Sequence, residues 1–286
     1  MPSTKPSHDF YINEGVKILG EEWLSSNSKE PHQLQNWYQI SVTKSRDASR
    51  DDKSDLITSY SGELKSFLTV CYNLYITSSN GLLDKTLMRR LKQKKQFQGA
   101  RYELLILSSC IEAGFSIVLE DDTASGKHPE FIASDIVTGD AFAVEANSRH
   151  RNGSMGWEDG VIVNVDTKAK IKSILLSAIE KNTQKPFVVF LDVNLPAENN
   201  SSIWTNEVKL DIEELLQDLY PQGKSEVTIL VISNLTCQNS LEVDGSASQL
   251  LFYMVPDAKY PISIKTAETI YKSICKALET PPRTRY

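Results

Sequence analysis

The 286 residues contain no apolar run approaching the roughly 20 that a membrane-spanning helix requires. The densest stretch, 187–191, stops at Asp192, and the mean hydropathy is −0.31. The first ten residues, MPSTKPSHDF, carry no apolar segment of the signal-peptide kind, so the expected compartment is the cytoplasm, with no membrane association. The chain has only four cysteines, Cys71, Cys110, Cys237 and Cys275, and none has a partner at short spacing. That excludes a disulfide framework and a zinc knuckle and leaves them as small buried hydrophobes. Positive net charge is lacking too: 31 basic against 37 acidic residues leave −6, which argues against a protein that coats a polyanion with its whole surface. The Gly-rich frame of a phosphate loop is missing around Ser125, Gly126 and Lys127. His8 and His32 have no metal-type companions and are expected at the surface. No internal repeat or low-complexity tract is present.

The charge that is there is unevenly spread. Seven basic residues and no acid fall between Lys85 and Arg101, whereas 187–260 holds eleven acids and three bases. Apolar residues at helical spacing predict helices across 10–40 and again across 56–98, separated by the polar stretch 43–55, read as an exposed loop. Residues 1–96 are thus expected to form a helical N-terminal region. From 97 to 286 the pattern is α/β, with a core over 97–195 and an extension over 196–286. The core opens with a helix over 99–113 that stops at Gly114, followed by strands over 115–120, 129–137 and 141–147, the last two joined by Thr138, Gly139 and Asp140. A helix over 168–181 and a buried strand from Phe187 complete the order α-β-β-β-α-β. The extension reads as a helix over 205–219, strands over 227–233 and 250–255, and a final helix over 267–278 that together widen the sheet and cover one face. The aromatics Trp204, Tyr220, Phe252 and Tyr253 are expected in its core, and Asp192 is read as a turn or capping residue.

Three carboxylates fall on the elements this order brings together: Glu103 in the first helix, Glu130 at the start of the second strand and Glu145 near the end of the third. Glu145 and Asn147 are two apart on a strand and share one face, with Ala146 on the other. Pairing around 138–140 makes residues whose numbers sum to about 278 face each other, which sets Glu130 about one pleat beyond Glu145. Carboxylates so grouped suit a hard cation, Mg²⁺ or Mn²⁺, that bridges a phosphate oxygen and activates water. Glu145 follows Phe142, Ala143 and Val144, where an unpartnered charge would be expensive.

The run FQGARYELLILSSCIEAGFSIVLE, then GKHPEFIASD, then GDAFAVEANSRHR, resembles the PD-(D/E)XK, or restriction endonuclease-like, nuclease superfamily over about 97–195. By this resemblance Glu103 matches the helix glutamate, Pro129 and Glu130 the PD pair, and Glu145, Ala146 and Asn147 the (D/E)-X-K triplet. It implies a restriction endonuclease-like mixed sheet and a metal-dependent nuclease acting on DNA or RNA, with Glu103, Glu130 and Glu145 holding metal and Asn147 orienting water. Asparagine is a departure from the family lysine, because it supplies no positive charge beside the attacked phosphate. Arg149, if the strand continues, or Lys127 would replace that charge. Arg89, Arg90, Lys92, Lys94, Lys95 and Arg101, with Arg149 and Arg151 after the third strand, would grip phosphates without reading sequence. The alternative is a degenerate member that binds nucleic acid or a protein partner without cutting.

Overall fold

A computed structural model of the chain describes residues 7–26, 28–48, 62–120, 128–148, 167–181, 183–194, 201–220, 224–235 and 248–278. Five helices come first: α1 (His8–Leu19), the single turn α2 (Glu21–Leu24), α3 (Gln33–Ala48), α4 (Gly62–Ser79) and α5 (Lys85–Leu91). The α/β part follows as α6 (Phe97–Glu112), β1 (Ser116–Leu119), β2 (Phe131–Ser134), β3 (Ala141–Ser148), α7 (Thr167–Ile179) and β4 (Phe187–Asp192). It continues through α8 (Ser201–Leu219), β5 (Ile229–Asn234), β6 (Gln249–Met254) and α9 (Ile264–Leu278).

The six strands form one mixed open sheet in chain order, β1 to β6. The pairs β1–β2, β2–β3 and β5–β6 are antiparallel, whereas β3–β4 and β4–β5 are parallel. Parallel neighbours need a crossover connection, and α7 and α8 supply the two that are required. Central parallel strands are covered on both faces, which is why FVVFLD and ILVISN are buried along their whole length.

The alternation along β3 and β4 sorts the core into two layers. Phe142, Val144, Ala146, Val188 and Phe190 pack with α1–α6 and α9, while Ala143, Phe187, Val189 and Leu191 pack with α7 and α8. The N-terminal helices therefore share a core with α6 and the sheet. The C-terminal extension covers both faces rather than the one expected, because α8 and α9 fall on opposite sides. Among the described residues no helix is long and apolar enough to cross a membrane.

Local chemistry explains where elements stop. Helix α6 ends in a Schellman arrangement, with the Gly114 amide donating to Ile111 and the Phe115 amide to Cys110, and Gly114 takes the φ of 86° that this requires. Strand β2 is shorter than its apolar run because Asp135 turns the chain: its carboxylate accepts from the amides of Val137 at 2.8 Å and Thr138 at 3.3 Å. The hairpin loop thus spans 135–140, and the strands pair with a sum of 275, Phe131 opposite Val144, instead of about 278. Helix α3 runs to Ala48, so 43–48 is helical rather than loop.

His8 and His32, expected outside, are buried. His32 immediately precedes α3, where its ring nitrogen accepts from the Leu34 amide at 3.1 Å and its own amide donates to Gln35 Oε1 at 2.6 Å. This is a reciprocal cap of the kind usually built from Ser and Glu. Cys71 and Cys110 are buried and Cys275 is partly so; burial raises the thiol pKa of Cys110 to about 12. Cys237 lies outside the described residues.

Candidate functional site

Glu145 sits in the middle of the sheet and is 3% exposed. Its neighbours Val144 and Ala146 face α6, so Glu145 and Asn147 face the α7 side. Both carboxylate oxygens are engaged: Lys181, in the turn after α7, forms an ion pair with Oε2, and Asn147 Nδ2 donates to Oε1 at 2.8 Å. A carboxylate buried this deeply without partners would cost several kcal/mol, and the lysine and amide offset part of that cost.

Glu130 lies beside β3 in a way the register did not foretell. Phe131 pairs with Val144, and the Glu130 amide also donates to the Val144 carbonyl at 2.9 Å. Two consecutive residues meeting one partner is the pattern of a β-bulge. A bulge breaks the alternation, and Glu130 accordingly lines the same cleft as its neighbour Phe131, together with Asp84, Arg90, Glu103 and Glu120. In that cleft Glu103 is ion-paired with Arg90, from the last turn of α5.

The structure thus brings Glu103 and Glu130 together at the β1–β2 end of the α6 layer, and sets Glu145 and Asn147 on the adjoining strand toward α7. Among the described residues, no group of three or more His, Cys, Asp or Glu side chains converges closely enough to hold a metal ion.

The basic segment does not form one phosphate-gripping face. Arg90 is committed to Glu103, Lys94 reaches Glu30 at 3.4 Å, and Lys92 lies 5.2 Å over the Trp23 ring, while Arg89 and Lys95 are exposed. Arg101 corrects the expectation most clearly. It is buried in the α6 layer, where its charge acts on the buried Asp192 carboxylate, so it is an internal counter-charge and not a surface contact for nucleic acid. Lys127, Arg149 and Arg151 lie outside the described residues. His128, at the start of the Glu130 segment, is half-buried, with its ring nitrogen 3.4 Å from the Pro129 carbonyl.

Sequence reasoning missed two things. Lys181 was only the last residue of a predicted helix, although a crossover between adjacent parallel strands returns its end to that strand pair. Asp192, read as a turn residue, does accept from the amides of Asn194 and Leu235, but it is also fully buried and accepts from Ser148 Oγ at 3.1 Å. Burial raises its carboxyl pKa above the usual range, against the opposing pull of Arg101 and these donors. Around it, at the carboxyl ends of β3, β4 and β5, Ser233 bonds Tyr102 at 2.9 Å and Asn194, at φ 48°, bonds Gln98 at 3.2 Å.

No family model matches the chain, and no curated protein or solved structure matches it.

Proposed function

We propose that the chain is a metal-dependent nuclease of the PD-(D/E)XK kind, hydrolysing phosphodiester bonds in DNA or RNA. The observation that carries the reading is Glu145, a buried strand carboxylate in contact with a lysine, on a strand that directly adjoins the Glu130 bulge. Supporting it is the frame α6-β1-β2-β3-α7-β4, with an antiparallel β1–β2–β3 meander and β4 parallel to β3. Carboxylate oxygens are donors of the right chemistry for a hard divalent cation, and Glu103 and Glu130, which line one cleft on the α6 side, would hold Mg²⁺ or Mn²⁺ there, while Glu145 faces the α7 side of the sheet. Such an ion neutralises phosphate charge and lowers the pKa of water. The chain itself contributes the exclusion of water from the α7 side of Glu145, an amide at Asn147 that can orient a water, and the exposed Arg89 and Lys95 as backbone contacts.

A second reading, a fold that binds nucleic acid or a protein partner without cutting, is favoured by one observation: both oxygens of Glu145 are already occupied and residue 147 is neutral. End-labelled single- and double-stranded DNA and RNA, incubated in Mg²⁺ and in Mn²⁺, separate the two. Metal-dependent products that vanish in Glu145→Gln support the nuclease. Salt-sensitive binding without products, by a folded protein, refutes it in favour of the second reading.

A further inference from the structure

We propose that the outer edge of β6 is a pairing surface for a second copy of this chain, the two β6 strands running antiparallel about a two-fold axis at Phe252 so that the two sheets join edge to edge. The pairing is independent of the nuclease reading, because the cleft lined by Glu103 and Glu130 lies at the opposite, β1–β2, side of the sheet and stays open.

Strand β6 is the last in the sheet and pairs only with β5. Just past it, the Val255 amide donates to the Thr228 carbonyl at 3.0 Å, in the same register that sets Ile229 opposite Met254. Antiparallel strands bond through alternate residues, so Gln249, Leu251 and Tyr253 bond inward to β5, while Leu250, Phe252 and Met254 turn their N–H and C=O groups outward. Among the described residues no other strand takes up that row.

Open edges are ordinarily blunted by brevity, charge, proline or a bulge. Strand β1, at the other edge, has only four residues and runs into Glu120, Asp121 and Asp122. In β6 the sequence QLLFYM has none of these, and its register with β5 is unbroken over six residues. The side chains beside the edge are apolar and open: Met254 is 44% exposed, and Tyr271 of α9, 47% exposed, sets its ring edge-on to Phe252 with centroids 5.4 Å apart.

The row is complementary to itself. With the axis at Phe252, that residue meets its own counterpart, Leu250 meets Met254 of the other copy and Leu251 meets Tyr253. Like faces then coincide, every outward N–H finds an outward C=O, and no charge enters the pair. The register is also singled out. A slip that puts Met254 on the axis sets Phe252 opposite Pro256, which has no N–H, and a slip that puts Leu250 there carries Met254 past the start of the opposing strand. An unrelated extended peptide would use the same backbone row, but a second copy also brings Met254 and Tyr271 to the edge from both sides.

The experiment uses the full chain in sedimentation equilibrium over a range of concentrations, with amide hydrogen exchange read residue by residue. The wild type is expected to form a dimer in which the Leu250, Phe252 and Met254 amides are as protected as those of Leu251 and Tyr253. Met254→Pro removes one outward N–H and leaves the bonds to β5 in place, a substitution that an edge strand accepts. It is expected to weaken the dimer about 30-fold, since the two-fold axis counts one lost hydrogen bond twice. Leu250→Glu and Met254→Lys are each expected to weaken it, and the two in one chain, which set opposite charges across the outer pairs, to regain most of the loss. Circular dichroism and melting check that each variant is folded.

A wild type that stays monomeric at every concentration overturns the inference, whether its outward amides exchange freely or are protected by another segment. So does a dimer whose outward amides exchange fast, or one indifferent to Met254→Pro, because its copies meet elsewhere. The exchange measurement is made on the wild type, so it decides even where a variant fails to fold.

Discussion

Acidification should unlock the N-terminal helices through one residue. His32 is buried between Trp23, 5.3 Å away by ring centroids, and Phe97, 4.9 Å away, and its ring accepts the Leu34 amide that opens α3. Burial, and behind it the nearby Lys94 ammonium, lowers its pKa from 6.5 to about 4. Protonation costs twice: a charge enters an apolar pocket, and the nitrogen that accepts the Leu34 hydrogen becomes a donor. Because the folded pKa is below the unfolded one, the contribution is intact above pH 6.5 and declines as pH falls toward the folded value. The shift corresponds to a loss of about 2 kcal/mol by pH 5 and about 3 kcal/mol by pH 4, a sizeable part of the 5–15 kcal/mol that holds a typical domain folded. Urea denaturation at a series of pH values, on the wild type and on His32→Asn, measures it. Asparagine keeps an acceptor for the Leu34 amide but does not titrate, so the variant should be weaker at pH 7.5 and much flatter between pH 6.5 and 4. Equal slopes for the two proteins, or an imidazole that titrates by NMR near pH 6.5 in the folded state, would refute the reasoning.

Three further outcomes test other parts of the structure. A Cβ on Gly15 would lie 2.5 Å from both Cβ and Sγ of Cys71 and 2.7 Å from its Cα, where α1 crosses α4, so Gly15→Ala should cost about 1–3 kcal/mol in urea melts. Asp192→Asn weakens the bonds that the buried carboxylate accepts from the Leu235 amide and the Ser148 hydroxyl and should lower stability by about 1–3 kcal/mol in thermal melts. Thr266, fully buried at the start of α9, donates to Asp140 at 2.7 Å and sits 3.1 Å from Asp135, pinning the helix to the β2–β3 turn. Thr266→Val should cost about 1–3 kcal/mol and raise hydrogen exchange in α9 first.

The elements from α6 to α9 were legible because each carries a local signature: SIVL and FIAS are short, apolar and β-branched or aromatic, FVVFL is an unbroken apolar run, and α7 repeats on one helical face. Their ends were less so. Apolar residues Ile136 and Val137 extend the apparent strand past Ser134, yet they are exposed, because the Asp135 carboxylate turns the backbone at a cost-free position that hydrophobicity does not register. His32 was misplaced for a related reason: composition assigns a lone histidine to the surface, whereas its packing on Trp23 and Phe97 depends on α2, α3 and α6 meeting, which no local pattern encodes.

The site shows the same division between what is local and what is not. Glu145 stood out because a charge amid Ala143, Val144 and Ala146 demands a partner wherever the strand lies. The identity of that partner depended on topology. No residue close in sequence announces it, and the lysine that answers the charge is 36 positions away. It arrives there because β3 and β4 are parallel, which obliges the chain to cross over through α7 and come back alongside the strand it left. The bulge at Glu130 is likewise invisible in composition, and it decides which layer that carboxylate joins.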